Sequence, residues 1–403
     1  MSSLVNELAA RGLVSERREG GDRAQGRPAA KVALNRSAGV AIAVDIGVRH
    51  VAVAVGDLSR SVLTEQWTTL PRGHGAIRGT AIVLSSIEQT LAQAGVDPEQ
   101  LVGAAISIAA PVAPSTGRML IPGVLPGWNG TELADKVAEL WSIPVVMEND
   151  ANLGALGEAV SRPHSEPVDL LFVKAASRIG LGIALGSRVH RGRDGYAGEF
   201  GHVTADPRGA ECWCGRRGCL ELYAGGDGML RRLNCNGRGV NTIRRLIECA
   251  RRGDVDVLAV VDEGADLLAR ALADVALVLN PSTIVLGGEL TALGDRLLDP
   301  IRRALDGVPF GPSIDISVSA LGERASLVGA LTLVLTDPAR FVDRSQQASG
   351  MAGLPPSPTA IPNSAILPTA RSGSRSRDGP PHWPHNQHTP TPGRALPQQG
   401  VTR

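Results

Sequence analysis

The chain has 403 residues, of which 43% are hydrophobic but only 3% aromatic, and its formal net charge is +1. This length can hold two domains with full-sized cores, which must be built from Ala, Val, Leu and Ile. No apolar run reaches the roughly eighteen residues of a membrane helix, so no membrane span is expected. The start of the chain does not resemble an export signal either, and we therefore expect a cytoplasmic protein.

Charge is distributed unevenly along the chain. Residues 1–36 carry seven Lys and Arg against four Asp and Glu, and residues 338–403 carry seven against two. The residues between them are therefore acidic overall. A basic head on an acidic globular body is typical of a protein that binds nucleic acid through the head, and incidental charge in a short segment is the alternative.

The first 36 residues predict a helix followed by a two-stranded ribbon. The sequence SSLVNELAARGLV places Leu4, Val5, Leu8 and Leu13 on one helical face, and Gly12 suits the end of a helix. This arrangement resembles the second half of a winged helix-turn-helix, whose wing would contact DNA; an ordinary helix and hairpin is the alternative. The basic residues of the ribbon are Arg17, Arg18, Arg23 and Arg27.

The centre of the chain predicts alternating strands and helices in two similar series. In the first series, strands are expected at 40–45, 51–55, 61–67, 101–109 and 143–149, and helices at 76–94, 131–141 and from 151. In the second, strands are expected at 168–176, 179–186, 187–192, 283–288 and 313–321, with helices between 240 and 279. Three strands followed by alternating helix and strand, occurring twice, indicate two related α/β lobes, 38–160 and 161–337, with a cleft between them.

Four potential metal ligands lie in a short knuckle, residues 198–221. His202, Cys212, Cys214 and Cys219 have the spacing H-x9-C-x-C-x4-C. Three thiolates and one imidazole are a ligand set that tetrahedral structural zinc prefers, so the pattern predicts a structural Zn²⁺. Reduced buried cysteines beside an unrelated histidine are the alternative, and a disulfide is disfavoured because cytosolic thiols stay reduced.

Polar groups that zinc does not need accompany these ligands. Glu199 lies three residues before His202, and Glu221 lies two residues after Cys219. When one ring nitrogen of His202 binds zinc, the other nitrogen is held in a defined tautomer. The two carboxylates and this nitrogen can then face one side, where they suit sugar hydroxyls.

The segment GEFGHVTADPRGAECWCGRRGCLE resembles the signature of the ROK family, which includes sugar kinases and sugar-responsive transcriptional repressors. The family's zinc ligands correspond to the four residues above, and its sugar contacts correspond to Glu199, His202 and Glu221. The phrase ELAARGLV followed by GRP is similar to the end of the DNA-binding domain of ROK repressors, so the resemblance is closest to regulators of the NagC and xylose-repressor type. It implies a two-lobed actin-like, sugar-kinase (ribonuclease H-like) fold of the α/β class.

The segment MENDANLGALGE places Asp150 between a predicted strand and a predicted helix. In a kinase, this carboxylate could accept the proton of a sugar hydroxyl while Asn149 holds a neighbouring hydroxyl. The resemblance favours sugar contact for both residues, with Asp150 a catalytic base only if the protein is a kinase. A simple cap on the following helix is the alternative, and the two roles can coexist.

The phosphate-binding turns of the kinase branch are incomplete. The first lobe keeps Asp45 and Gly47, but residues 48–50 (VRH) occupy the place where ROK kinases usually carry a Gly-Thr pair. The second lobe keeps Gly180, but residues 176–178 (ASR) replace a Gly-Thr-Gly. Backbone N–H groups can then no longer approach a phosphate closely, so we expect neither ATP nor Mg²⁺ to bind.

The favoured function is a sugar-responsive transcriptional regulator, a repressor, which holds a sugar or sugar phosphate in the cleft and DNA at its head. The alternative is an ATP-dependent hexose or N-acetylhexosamine kinase of glucokinase type. A third hypothesis is a sugar-sensing or protein-interaction module without DNA binding. The resemblance further implies a homodimer or tetramer, and no feature indicates a membrane partner.

The two ends of the chain carry further predictions. Eleven of the 27 prolines lie beyond residue 350, so 338–403 is expected to be a disordered tail, and its histidines at 382, 385 and 388 could form only a loose metal site. At the start, Met1 leads directly into what should be a recognition helix. We expect the natural reading frame to begin roughly 40–60 residues upstream, and the chain as given to bind DNA weakly and salt-sensitively.

Overall fold

Two five-stranded sheets with their helices form two α/β lobes, and a two-stranded ribbon precedes them. The computed structural model describes residues 3–10, 12–17, 31–70, 75–121, 130–162, 167–235, 237, 239–309 and 313–337. No helix within these residues is long and apolar enough to cross a membrane. The tail predicted at 338–403 lies outside the described residues.

The N-terminal segment forms the expected helix and ribbon. Its elements are α1 (Ser3–Ala10), β1 (Val14–Arg17) and β2 (Lys31–Leu34), with the two strands antiparallel. Gly12 has a φ of +71°, and the N–H of Leu13 donates to the Leu8 carbonyl at 2.9 Å. The left-handed glycine therefore ends the helix, as the sequence predicts. Of Arg17 only the backbone is described, and Arg18, Arg23 and Arg27 lie outside the described residues.

The first lobe follows the ribbon. Its elements are β3 (Val40–Ile46), β4 (His50–Asp57), β5 (Val62–Thr69), α2 (Ala76–Ala94), β6 (Leu101–Ile108), α3 (Gly130–Trp141) and β7 (Val145–Asn149). The strand order is β5-β4-β3-β6-β7, in which β5, β4 and β3 are antiparallel while β6 and β7 run parallel to β3. The strand expected from residue 143 begins at Val145, because the Ile143 N–H donates to Ala138 and closes α3.

The second lobe repeats this plan after one connecting helix. The connecting helix is α4 (Asp150–Ser161), and the elements of the second lobe are β8 (Leu170–Ala175), β9 (Ile179–Leu185), β10 (Arg188–Val189), α5 (Glu221–Ala224), α6 (Gly226–Cys235), α7 (Ile243–Arg251), α8 (Val255–Leu279), β11 (Thr283–Gly287), α9 (Asp295–Asp306), β12 (Asp315–Val318) and α10 (Ala325–Leu335). The order β10-β9-β8-β11-β12 has the same pattern of strand directions as the first sheet. The duplicated α/β architecture predicted from the sequence is confirmed.

Both faces of the central strands are covered, which is why they read as continuous apolar runs. On β3, Ile42 and Val44 pack in the cluster that contains the buried side chains of α2. The neighbouring Ala41 and Ala43 face α10 instead. Small side chains on this face let α10 lie close to the sheet.

The two helices α4 and α10 each pack on the sheet of the other lobe. On α4, Ala155 and Ala159 pack against Leu170 and Phe172 of the second sheet, although α4 directly follows the first. Helix α10 is the last element described after the second sheet, but it packs on the first sheet. The two helices also touch each other, because a Cβ added at Gly329 would lie 1.9 Å from the carbonyl oxygen of α4's Leu153.

Candidate functional site

A cavity of about 200 Å³ lies between the lobes, at the N-terminus of α4. Its walls come from the ends of β3 and β7, the β8–β9 turn and the knuckle. The residues predicted for the sugar and phosphate sites that line it are Asp45, Gly47, Asn149, Asp150, Gly180, Glu199, His202 and Glu221. Residues from both lobes therefore surround one cavity, as the sequence predicts for a cleft.

The knuckle brings its three cysteines and its histidine together. Their four ligand atoms lie within 4.8 Å of one another, with Cys212 Sγ 3.7 Å from His202 Nδ1 and Cys214 Sγ 3.6 Å from Cys219 Sγ. Tetrahedral zinc with Zn–S bonds of about 2.3 Å separates its sulfur ligands by about 3.8 Å. A disulfide would require about 2.05 Å, and all the cysteines are free. The donor set and its spacing fit a structural zinc.

Backbone turns fix the knuckle in this shape. The N–H of Cys212 donates to Arg216 at 2.7 Å, and the N–H of Gly218 donates to Ala210 at 2.8 Å. Gly218 has a φ of +62°, and a Cβ there would lie 1.5 Å from the Asp206 carbonyl oxygen. Only glycine fits at this position, so the ligand geometry depends on it as well as on the ligands.

His202 lies between the thiols and the cavity. Its Nδ1 faces Cys212, whereas its Nε2 is 3.9 Å from Glu199 Oε2. A metal bound at Nδ1 would leave Nε2 for a ligand in the cavity. Burial, together with the charges of Asp150 and Glu221, raises the pKa of Glu199 to about 7.

Glu221 begins α5 and is buried beneath an indole ring. The Nε1–H of Trp213 donates to Glu221 Oε1 at 2.5 Å, and the same ring meets His202 edge-on with centroids 4.9 Å apart. Trp213 was not among the predicted site residues, although it lies between two predicted metal ligands, Cys212 and Cys214. This tryptophan joins the knuckle to the cavity wall.

Asn149, rather than Asp150, caps α4. Asn149 Oδ1 accepts from the N–H groups of Ala151 at 2.9 Å and Asn152 at 3.2 Å. Asp150 Oδ1 also accepts from the Ala151 N–H, at 2.8 Å, while its Oδ2 accepts from the Nζ of Lys174 at 2.6 Å. Asp150 therefore does more than bond to the start of the helix, since it also forms an ion pair with Lys174.

Lys174 was not among the predicted site residues, although it is the one charged residue in the apolar run LLFVKAA. Burial acts to lower its pKa, but the carboxylates of Asp150 and Asp45 outweigh burial and raise the pKa above its ordinary value. Lys174 is therefore an ammonium that is bonded to Asp150 and whose single charge also stabilises the carboxylate of Asp45.

The first phosphate turn is filled by its own side chains. Asp45 is buried and accepts from the Ser107 hydroxyl, and its Oδ2 is 3.1 Å from His50 Nε2. The His50 ring lies over Gly47, where an added Cβ would be 2.3 Å from the ring. Burial tends to raise the pKa of Asp45, but Lys174 and His50 outweigh it and hold the pKa below its ordinary value.

The second turn, between β8 and β9, is fixed against α6. The Ala176 N–H donates to the Arg178 carbonyl at 3.1 Å, while Ala176 and Ser177 carbonyls accept from the N–H groups of Gly226 and Asp227 at 2.8 and 2.9 Å. The Arg178 guanidinium lies 5.2 Å from the centre of the Trp213 ring. This turn therefore presents a side chain, rather than bare backbone, to the cavity.

Two mixed α/β lobes, a cavity between them and a His-Cys₃ knuckle on its wall define the class of two-lobed, actin-like sugar kinases and their non-catalytic relatives. The chain belongs to the ROK family, whose family model matches residues 41–337. The predicted family and fold are thus confirmed.

Relatives of two kinds resemble the chain. It is 26% identical over 338 residues to the xylose repressor of Bacillus subtilis. This match covers 83% of this chain and 87% of the repressor. It is 30% identical to a ROK glucokinase of Streptomyces griseus solved with glucose and AMPPNP, with a TM-score of 0.63 over 73% of this chain and 99% of the kinase. A ROK transcriptional regulator homologous to the E. coli MLC protein has the same fold, with 23% identity and a TM-score of 0.69 over 84% of this chain and 87% of the regulator.

Proposed function

We propose that this chain is a sugar-responsive transcriptional regulator, a repressor, that binds its sugar in the interlobe cavity. Sugar hydroxyls contact Asn149, Asp150, Glu199, His202 and Glu221. A structural zinc at the knuckle holds the last three of these in position. The N-terminal helix and ribbon contribute to binding DNA in the cytoplasm.

The observation that carries this proposal is that side chains occupy the two turns in which a kinase would bind the phosphates of ATP. In the first turn, His50 covers Gly47 and bonds to Asp45, where a kinase needs open backbone. In the second turn, Arg178 replaces a glycine. A nucleotide bound through its phosphates requires N–H groups that it can reach directly, and these turns offer side chains instead.

A further feature opposes phosphoryl transfer. The candidate base Asp150 is paired with Lys174, which competes with a sugar hydroxyl for its Oδ2 atom. Without a free base and a phosphate cradle, what the site retains is the capacity to bind a sugar.

The relatives support the same proposal. The glucokinase match spans nearly the whole kinase but only 73% of this chain, whereas the xylose repressor match spans 83% of it. A regulator needs a DNA-binding segment in addition to the two lobes, and the helix and ribbon before the first lobe supply part of one.

The glucokinase likeness keeps a sugar kinase as the second candidate, and two assays separate the functions. Purified protein with ATP, Mg²⁺ and a panel of pentoses, hexoses and N-acetylhexosamines should release no ADP. Turnover of about 1–100 s⁻¹, the ordinary kinase range, would contradict the proposal. In a gel shift with DNA from upstream of its own gene, a sugar that binds the protein should change the affinity for that DNA.

A further inference from the structure

Two arginines that line the cavity, Arg49 and Arg178, have no role in the function proposed so far, and Arg178 is distinguished by lying over the ring of Trp213. Arg178 is half-buried and lines the cavity, and within the described residues its guanidinium makes no hydrogen bond and no ion pair. Lys174 differs, because its ammonium is already bonded to Asp150. A partly buried guanidinium whose five N–H donors have no protein acceptor can donate hydrogen bonds to a ligand in the cavity.

Arg178 is held in place at both ends. Its backbone belongs to the β8–β9 turn, and a Cβ added at Gly225 would lie 3.5 Å from the Arg178 Cα, so the chain behind it is closely packed. Its guanidinium lies over the face of Trp213, whose indole N–H is fixed by Glu221. Stacking on an aromatic face leaves the N–H edge of a guanidinium free, so the donors are oriented before any ligand arrives.

The guanidinium of Arg178 lies near the residues that are proposed to contact the sugar. Trp213 lies under the guanidinium and touches His202, and both line the cavity with Glu199. Neutral sugar hydroxyls are already served by the carboxylates and the imidazole. A fixed guanidinium fork matches a phosphate or carboxylate, to which it donates two parallel hydrogen bonds.

We infer that the effector is an anionic sugar, whose phosphate or carboxylate group is bound by Arg178 while its hydroxyls contact the acidic cradle. This inference rests on the proposed function, since it presumes that the cavity binds a sugar. Arg178 is then the residue that distinguishes the charged sugar from its neutral parent.

Isothermal titration calorimetry with the zinc-loaded full chain tests the inference. The ligands are glucose, N-acetylglucosamine and xylose, the 6-phosphates of the first two, xylose 5-phosphate, glucuronate and inorganic phosphate. We expect at least one charged sugar to bind about tenfold to hundredfold more tightly than its neutral parent. The phosphate and glucuronate arms identify which oxyanion the site takes.

Three variants assign the effect to Arg178. Arg178→Gln should abolish the preference for the charged sugar while leaving the affinity for the neutral sugar unchanged, and Arg178→Lys should restore it only partly because an ammonium lacks the fork. The matched control is Arg216→Gln, which removes an exposed arginine of the knuckle that does not line the cavity. Zinc content and melting temperature confirm that each variant is folded.

The outcomes separate this inference from the proposed function. If neutral sugars bind and their charged forms bind no better, or if Arg178→Gln keeps the preference, the inference is overturned and the regulator proposal stands. Inorganic phosphate that binds as tightly as the sugar phosphates also overturns it, because the site would then select an anion rather than a sugar. Failure of every sugar to bind removes both.

Discussion

Lys174 Nζ lies 2.6 Å from Asp150 Oδ2, so the carboxylate that a ROK kinase would use as a base is here half of an ion pair. Asp150 begins α4, which follows the first sheet, and Lys174 lies on β8 of the second. The pair thus joins the two lobes at the floor of the cavity. Asp150 therefore has a structural role in this chain that does not depend on catalysis.

Breaking this pair should be costly. Lys174→Met leaves the buried carboxylates of Asp150 and Asp45 without their ammonium, and we expect a loss of about 3–5 kcal/mol in the free energy of unfolding. The double variant with Asp150→Asn should lose less than the sum of the single variants. Urea denaturation measures each value. As a control, Arg296→Met breaks an exposed pair with Asp262 and should cost less than about 1 kcal/mol; an equally small effect at Lys174 would contradict this prediction.

Asp45 should make stability fall at acid pH. Its pKa is lower in the folded protein than its ordinary value of 3.8, so the unfolded chain binds more protons near pH 4. The contribution of Asp45 is therefore present above the unfolded pKa and is lost as pH falls through the folded pKa. Asp45→Asn should lower stability at pH 7 and flatten the acid side of a stability–pH curve. Asp306→Asn, at an exposed site, should leave the curve unchanged, and an unaltered acid limb in Asp45→Asn would refute the assignment.

The knuckle should hold one zinc per chain. Cys214→Ser removes a buried thiolate ligand, and loss of the metal should release both Glu199 and Glu221, since zinc sites of this type contribute about 10–16 kcal/mol in model fingers. Metal analysis by mass spectrometry should find zinc in the wild type and in the control Cys235→Ser, whose cysteine is exposed and outside the cluster. Undiminished zinc in Cys214→Ser would count against the predicted ligands.

Sugar affinity should depend on the carboxylates of the cradle. Asp150→Asn and Glu221→Gln keep an oxygen that accepts from Lys174 or Trp213, so both variants should fold. Each loses a charged hydrogen bond to a hydroxyl, which is worth about 1.5–3 kcal/mol, or roughly tenfold to hundredfold in affinity. Calorimetry with the best sugar of the panel measures this loss, and Glu211→Gln, an exposed knuckle variant, is the control. Unchanged affinity in both cavity variants would remove these residues from the site.

The contact between α4 and α10 should not tolerate a side chain at position 329. Gly329→Ala places a methyl group 1.9 Å from the Leu153 carbonyl oxygen, so the helices must separate. The better helix propensity of alanine offsets about 1 kcal/mol, yet we expect a net loss of about 1–3 kcal/mol in thermal or urea denaturation. Gly75→Ser adds a Cβ at the N-cap of α2, a position that serine favours, with φ −73° and no atom within 4 Å of the new Cβ, and it should not lower stability by more than about 0.5 kcal/mol. A Gly329 variant as stable as this control would mean that the helices do not touch as described.

The architecture was readable from the sequence because its signals are local. Runs such as VAIAVDI and LLFVKAA predict buried strands, Gly12 marks a helix end, and the spacing of His202 and the three cysteines marks a metal cluster. In each of these cases the neighbours along the chain determine the outcome, and the structure agrees with the prediction.

The chemistry of the cavity depended on contacts that no local signal encodes. Lys174 is recognisable as an unusual charge in a strand, but its partner Asp150 is on another element. The bond from Trp213 to Glu221 depends on how the knuckle folds over α5. Apolar periodicity shows that α4 and α10 have buried faces, but it cannot show which sheet each one covers. These features depend on tertiary contacts, which local patterns in the sequence do not specify.

The exchange of α4 and α10 between the sheets has a consequence for how the protein is made. The alanines of β3 are buried beneath Leu327 and Leu331, which are among the last described residues to be synthesised. The first lobe therefore cannot complete its core on the ribosome until the second lobe has almost emerged. Contacts between such distant parts of a chain form slowly, and an unfinished apolar face is prone to aggregation. We expect the two lobes to fold as one unit, and a fragment ending before α10 to depend on chaperones.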